Sequence, residues 1–378
     1  MPTAVPDRLL LGSGPSPVPA RVLEALSQPT IGHLDPAFGA LMDETADLLR
    51  RTFGTGNRAT LPISGTGSAG MDAMVANFVR PEDRVVVGVN GLFGERLADA
   101  LGRAGAAVRR VEAEWGRAID TDALLDAAED GLDAMCVVHG ETSTGVCQPL
   151  DGLGDACRKR DALLLVDCVT SLAGQRLLLD EAGVDAAFSG SQKCLNCPPG
   201  LAPFTAGERA IERIGGSRSW YFDLSLVLGY WDGDGGRAYH HTAPINMVYA
   251  LREALLLVHE EGLDARWERH GRAHAALRAA LSELGIERIA PDGEELHPLL
   301  AVRVPAGVDE AAVRRGLLDR HGIEISGGLG PLAGTAWRIG VMGSGAEHGP
   351  QERLVEALCA ELGRDPAGPL SALEEGWG

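Results

Sequence analysis

The sequence predicts an α/β protein: a large domain with a mostly parallel sheet, followed by a smaller C-terminal α+β domain. Three observations carry that expectation. Short apolar runs alternate with helical segments from about residue 40 to residue 190, the pattern of strand–helix units that build a parallel sheet. Apolar residues make up 45% of the 378, enough for one large core with a smaller one attached. From Ile245 two long helical stretches give way to short strands mixed with helices, which is an α+β order.

Residues 1–20 contain Gly12-Ser13-Gly14-Pro15-Ser16-Pro17. They read as an extended arm, because each proline biases its predecessor away from helical angles. Residues 21–255 are assigned to the large domain. Its helices are expected over 38–53, 69–79, 96–103 and 121–128, and its strands over 84–89, 107–111, 134–138, 162–167 and 185–189. A long amphipathic helix begins at Ile245 and runs past Glu260, with Tyr249, Leu251, Ala254, Leu255 and Val258 along it. A second helical stretch covers 270–284. Residues 256–378 are assigned to the small domain, where strands over 299–304 and 336–341 mix with helices over 309–320 and 351–362. The tail, 365–378, carries Pro and Gly and reads as loosely held.

The net charge of −19 disfavours nucleic acid and anionic membrane surfaces as partners, since both attract basic patches. A charged fraction of 23% argues against disorder. Seven cysteines, an odd number in a long chain, argue against a disulfide framework. Cys194-Leu195-Asn196-Cys197 has no second C-x-x-C or suitable histidine spacing, so no metal site is expected. Its cysteines read as small residues packed beside the neighbouring loop. The N-terminus shows no basic segment followed by a long apolar run, and no apolar stretch approaches the ~18 residues that span a bilayer. A cytoplasmic enzyme is the expectation.

The chemistry begins with a buried-strand pattern, Ala162-Leu163-Leu164-Leu165-Val166-Asp167, that ends on a carboxylate. A second short segment, 184–190, runs into Ser191-Gln192-Lys193. Ligands of such sheets bind at the carboxyl ends of the strands, so Asp167 and Lys193 can meet in one pocket. The pair suits pyridoxal 5'-phosphate (PLP). A lysine forms a Schiff base with it, and a carboxylate keeps its pyridine nitrogen protonated so that the ring accepts electrons. Neither residue carries this alone: a strand-end Asp often caps a helix, and most lysines are solvated.

Upstream, Gly65-Thr66-Gly67-Ser68-Ala69-Gly70 matches G-x-G-x-x-G, after a short strand-like segment and before a helix. The loop does not follow the first strand of a dinucleotide fold, and the next strand ends in Asn90-Gly91 rather than in an acid for a ribose hydroxyl. What remains is a helix N-terminus whose free N–H groups, with the Thr66 and Ser68 hydroxyls, suit a phosphate; a plain tight turn is the other reading. Gly140-Glu141-Thr142-Ser143-Thr144-Gly145 is a further strand-end loop of small polar residues, which supplies hydroxyls to a ligand or only turns the chain. Arg338 stands among apolar neighbours in residues 336–340, and either clamps a carboxylate in bidentate fashion or forms a buried ion pair. In Tyr239-His240-His241-Thr242 the adjacent histidines point apart, so a shared metal is not expected.

Taken in order, these motifs make the chain resemble the class V, fold-type I PLP aminotransferases, within them the alanine–glyoxylate and serine–glyoxylate (serine–pyruvate) group. The resemblance runs from Leu10-Leu11-Gly12-Ser13-Gly14-Pro15 and Ile31-Gly32-His33 through His139-Gly140-Glu141-Thr142-Ser143-Thr144-Gly145-Val146, Leu165-Val166-Asp167 and Ser191-Gln192-Lys193. It continues through Tyr239-His240-His241-Thr242 and Gly327-Gly328-Leu329-Gly330 to Trp337-Arg338-Ile339-Gly340. It implies transfer of an amino group from a small α-amino acid of the alanine or serine type to a small 2-oxo acid of the glyoxylate or pyruvate type. Lys193 would be the Schiff-base lysine and proton shuttle, Asp167 the partner of the pyridinium nitrogen, and Phe93 the aromatic ring on the cofactor face. Thr66, Gly67, Ser68 and Gln192 would hold the phosphate, and Thr142 would bond near the phenolic oxygen. Tyr239 and Thr242 would reach the phosphate from the other subunit of a homodimer. Arg338 would clamp the substrate carboxylate, with Ser13 and Gly14 of the arm closing the site.

The chain departs from the family pattern at four of these places. The arm reads Gly-Ser-Gly-Pro where Gly-Pro-Gly-Pro is usual, Ser68 stands where some relatives carry His, Phe93 where many carry Trp, and Thr142 where many carry Ser. Phe93 and Ser13, with Cys194, bear on which donor and acceptor are used. Class V also includes lyases and desulfurases on the same fold. A desulfurase needs a mobile nucleophilic cysteine, and Cys194 and Cys197 follow the lysine directly, a tight place for a swinging loop.

Overall fold

The computed structural model describes residues 5–128, 131–232 and 236–378; the first four residues of the arm lie outside them. A seven-stranded sheet organises the large domain, in the order Ala59–Ser64, Leu201–Ala206, Ala186–Phe188, Leu163–Asp167, Ala134–Val138, Arg84–Val89, Ala107–Glu112. Neighbours pair in parallel except on either side of Leu201–Ala206, the single reversed strand. Ala134–Val138 and Leu163–Asp167 are buried along their whole length, which is why they read as unbroken apolar runs: a parallel sheet is covered on both faces.

The expected strands appear within a residue or so of their limits, and the expected helices generally begin a little earlier. Pro36–Phe53 shows why: Asp35 caps it by accepting from Ala37 N at 2.8 Å, proline occupies its first position, and Gly54 closes it in the left-handed conformation. The reversed strand Leu201–Ala206 was not expected from the sequence. It contains Pro203, which stands opposite Pro62. Two facing prolines can exchange no N–H···O bond, so this is a pair where the ladder needs none. On its other side the Pro203 carbonyl still accepts from Ser189 N at 2.7 Å.

A second core forms around a three-stranded antiparallel sheet, Leu299–Arg303, Ala336–Gly340 and Ser326–Gly327. Leu277, Leu281, Leu300, Trp337, Ile339 and Leu354 are buried in it. The arm is extended, as expected, and is tied to this second core: Leu9–Leu10 pairs in parallel with Ile323–Glu324, and Leu11 is buried there.

The tail corrects its sequence reading. Residues Ala367–Trp377 form a helix packed on Leu263–Glu283. Leu373 is fully buried, and Trp377 Nε1 donates to Gln351 Oε1 at 3.0 Å. Pro369 falls in the first turn, where a missing N–H costs nothing. Gly376 marks the closest approach, since a Cβ there would sit 2.6 Å from Ala276 Cα. Among the described residues no helix is long and apolar enough to cross a membrane.

Candidate active site

Asp167 ends its strand, and Lys193 lies in the turn between Ala186–Phe188 and Leu201–Ala206. Both line a cavity of about 110 Å³ at the carboxyl edge of the sheet, together with Thr66, Gly67, Ser68, Phe93, Thr142 and Gln192. A wider depression of about 480 Å³ around Asp155, Arg158 and Arg176 gathers none of these groups. Its arginines pair with Asp155 and Glu181 at the surface.

Burial dominates the electrostatics of the smaller cavity. It pushes the Asp167 carboxyl up to about 7, and nearby Glu141 acts in the same direction. The Val169 N–H, donating to Asp167 Oδ1 at 2.8 Å, opposes it, as do Lys193 and Arg96. Burial also pushes the Lys193 ammonium down to about 8; Arg338 and Arg96 add to this, while Cys194 and Asp167 oppose it. Lys193 Nζ donates to the Ser13 carbonyl of the arm. Gly14 takes a φ of 108°, and a Cβ on it would stand 2.6 Å from that Nζ. The arm can therefore cover the lysine only with glycine at this position.

Above Asp167, Thr66 precedes helix Gly67–Phe78 with no capping bond from its side chain, leaving an N-terminus suited to an anion. A Cβ at Gly67 would approach Val169 Cγ2 to 3.2 Å, so the close wall there depends on glycine. Gln192 Oε1 is buried without a partner, which marks unfilled polar capacity in the lining.

Phe93 is placed by a residue whose role the sequence did not reveal. Glu141 is fully buried. One of its oxygens accepts from Phe93 N and Gly94 N at 3.0 and 3.1 Å; the other accepts from Ser143 N at 3.0 Å and Ser143 Oγ at 2.6 Å. A carboxylate thus anchors the first turn of Leu92–Arg103, where the helix dipole favours it. Burial raises the Glu141 pKa, and these hydrogen bonds pull it back. Gly91 leaves room for this arrangement, since a Cβ there would lie 2.4 Å from Ser143 Oγ. Arg96, also unassigned from sequence, lines the cavity with Cζ 4.9 Å from the Phe93 ring centroid. A signal for Glu141 was present: it is the one acid in a run of small residues just past a buried strand.

Arg338 is buried on the central strand of the small sheet. Its Nε donates to Gly327 O at 2.8 Å and its Nη1 to Thr142 O at 3.4 Å, which joins it to the cavity wall. Burial lowers its pKa, and the Glu141 charge opposes that. Among the described residues no carboxylate forms an ion pair with it, so the buried-ion-pair reading is not what the structure shows. Tyr239 and Thr242 are not brought to the cavity. Both are exposed, Tyr239 at 62% with its ring 5.1 Å from that of His33. No cysteine lines the cavity among the described residues. Cys194 and Cys197 are buried; burial pushes the Cys194 thiol up to about 12, and its Sγ donates to Thr170 O at 3.3 Å.

A doubly covered, mostly parallel sheet with a buried lysine–aspartate cavity at its carboxyl edge, flanked by a small α+β unit, has the fold-type I architecture. Comparison with known proteins agrees: the family model "Aminotransferase class-V" matches residues 8–334. The chain is 41% identical over 361 residues to an (S)-ureidoglycine–glyoxylate transaminase of Bacillus subtilis, covering 89% of this chain and 86% of that one. It is 39% identical to an alanine–glyoxylate aminotransferase of Callithrix jacchus, covering 97% and 90%. A solved alanine–glyoxylate aminotransferase from Nostoc sp. superposes with a TM-score of 0.93 at 47% identity, covering 96% and 97%. The chain belongs to the class V aminotransferase family.

Proposed function

We propose that this protein is a PLP-dependent transaminase that moves an amino group from a small α-amino acid of the alanine or serine type to a small 2-oxo acid, with glyoxylate as the leading acceptor and pyruvate as the other. The observation that carries this is the burial of the Lys193 amine and the Asp167 carboxyl in one cavity beside an uncapped helix N-terminus. The named relatives support glyoxylate, since both the Bacillus and the Callithrix proteins carry it in their names.

The residues present fit PLP. The uncapped N-terminus with Thr66, Gly67 and Ser68 suits its phosphate, and Gln192, which lines the same cavity, would turn its Nε2 donor to it. When bound, the cofactor supplies an electron sink for the bonds at the substrate α-carbon. Asp167 holds the proton at the ring nitrogen; a positive nitrogen beside it restores the charge that burial drives off. Lys193 anchors the cofactor and moves the proton at the substrate α-carbon. An amine drawn down to about 8 takes and returns a proton more readily than a solvated lysine. Phe93 would offer the cofactor a flat apolar face, and Thr142, in the same lining, would offer a hydroxyl to its phenolic oxygen. Arg338 binds the substrate α-carboxylate, and Ser13 and Gly14 close the arm over it.

Tyr239 and Thr242 act across the interface of a homodimer on this reading, which their exposure supports, as does that of nearby Trp220 at 63%. Residues 21–255 then serve as the cofactor domain, 256–378 as the small domain and 1–20 as the arm. A second reading of the donor, (S)-ureidoglycine, is favoured by the 41% identity to the Bacillus enzyme.

The test is a grid. PLP-loaded protein is offered alanine, serine or (S)-ureidoglycine against glyoxylate or pyruvate, and the amino acid formed is quantified. Glycine from glyoxylate with one dominant donor is the expected result; no amino-acid product from any pair would sink the proposal. Light scattering on the same sample should give the mass of two chains, and a monomer of full activity would remove the roles given to Tyr239 and Thr242.

A further inference from the structure

We infer that Asn196 is a positioning residue that holds Lys193 and Arg338 in register across the cleft. The inference rests on the roles proposed for those two residues. Asn196 lies three residues beyond the lysine, in the left-handed conformation at φ 53°, and its side chain is buried. Its amide joins three separate stretches of chain. Nδ2 donates to Ser16 Oγ at 3.0 Å and Pro17 O at 2.8 Å in the arm, and to Met342 O at 3.3 Å beyond the Arg338 strand. Oδ1 accepts from Ser344 N at 3.1 Å and from Arg266 Nη2 at 3.3 Å.

Each connection leads back to the site. Ser16 Oγ donates to the carbonyl of Lys193 itself at 2.6 Å, so the arm, the lysine and Asn196 form one hydrogen-bonded unit. Met342 and Ser344 lie just past Ala336–Gly340, the strand that carries Arg338. Gly343 between them takes a φ of 56°, and a Cβ there would fall 1.4 Å from Asn196 Oδ1. The turn can come this close only as glycine, and its own N–H is held by His270 Nε2 at 2.9 Å. A buried amide with both ends in use is a costly group to leave unsatisfied, and such networks fix one geometry. Here the geometry fixed is the offset between the amine that handles the α-proton and the guanidinium that holds the carboxylate.

The two ends of the amide can be separated by mutation. Asn196→Asp keeps the acceptor for Ser344 and Arg266 but removes all three donated bonds; Asn196→Ala removes the donated and the accepted ones alike. Amide hydrogen exchange by mass spectrometry is read on the full PLP-loaded chain at residues 9–17, at 342–346, and at 163–167 as an internal reference. In Asn196→Ala, exchange should rise about tenfold or more in the first two segments and stay unchanged in the third. In Asn196→Asp the arm should loosen while the Ser344 amide stays protected. The KM for the amino donor should rise roughly tenfold to a hundredfold in Asn196→Ala, with PLP affinity from absorbance titration held within about twofold, because the offset matters to substrate and not to cofactor. Unchanged exchange in both segments would overturn the inference. So would a uniform loss of protection that reached the sheet, which would make Asn196 a residue of general folding. The exchange result stands even if the grid of donors and acceptors gives no product, so the two failures are distinguishable.

Discussion

The sheet-borne wall of the cleft sets its chemistry by taking charges out of water, whereas the wall formed by the arm and the small sheet sets it by hydrogen bonds to carbonyls. On the first wall Asp167 and Lys193 are each pushed toward neutrality mainly by burial, and the strand that carries Asp167 is apolar up to that residue. On the second, Arg338 is aimed by the carbonyls of Gly327 and Thr142, and the arm is pinned through Ser16 to Lys193 and Gln192. The first arrangement tunes proton affinity, which the role proposed for Lys193 requires. The second tunes position, which the role proposed for Arg338 requires. Glu141 touches both: it holds Phe93 in place, raises Asp167 and steadies the charge of Arg338.

The largest effect should come from the first wall. Lys193→Ala removes the proposed proton carrier, and turnover should fall by roughly 10⁴-fold or more, past the usual share of one acid–base group because the proposed anchor is lost as well. Stopped-flow or endpoint assay of amino transfer checks it, and retention of even a tenth of the rate would break the contrast. Arg338→Gln attacks the second wall. A charged hydrogen-bond partner is worth about 1.5–3 kcal/mol, so the KM for the amino donor should rise by about 10–150-fold while PLP binding stays intact. Equal loss of PLP affinity would show that the walls are not separable.

Leu373→Ala acts on the support of the second wall, far from the cleft. Deleting this fully buried side chain should cost about 2–4 kcal/mol in denaturant unfolding, with the donor KM less affected than in Arg338→Gln. The smallest effect sharpens the first wall. Asp167 titrates near 3.8 when free and about 7 in the ligand-free fold. Between those values the native state keeps a proton that the unfolded chain has released, so stability falls as pH rises through the window. Asp167→Asn has no such proton to lose. Without cofactor it should melt a few degrees above the wild type at pH 8, and the gap should close toward pH 4. A pH-independent gap in thermal scans would contradict the burial argument.

Sequence reasoning reached the first wall more easily than the second for a physical reason. An apolar run that ends on Asp167, or a loop that opens a helix at Gly67, states its position locally. Arg338 was legible only as a charge among apolar neighbours, and its bond to Thr142 depends on how two distant sheets meet. Glu141 was hidden because the loop around it reads as a source of hydroxyls, while its function lies in backbone donors from residues 93 and 94. Pro203 masked the reversed strand, since its tolerance depends on the facing Pro62. Pro and Gly likewise masked the tail helix, where Gly376 is needed for contact with Ala276. Tyr239 and Thr242 are exposed and away from the cavity, and the role proposed for them needs a second chain.

The claim that this chain transfers an amino group is tested most directly by following the nitrogen. PLP-loaded protein is given ¹⁵N-alanine or ¹⁵N-serine with unlabelled glyoxylate, in the presence of unlabelled ammonium. The account predicts ¹⁵N in glycine, one for each 2-oxo acid formed from the donor, and none in the ammonium pool. Label released as ammonium, with glycine unlabelled or absent, would contradict it and make the protein a lyase on the same fold.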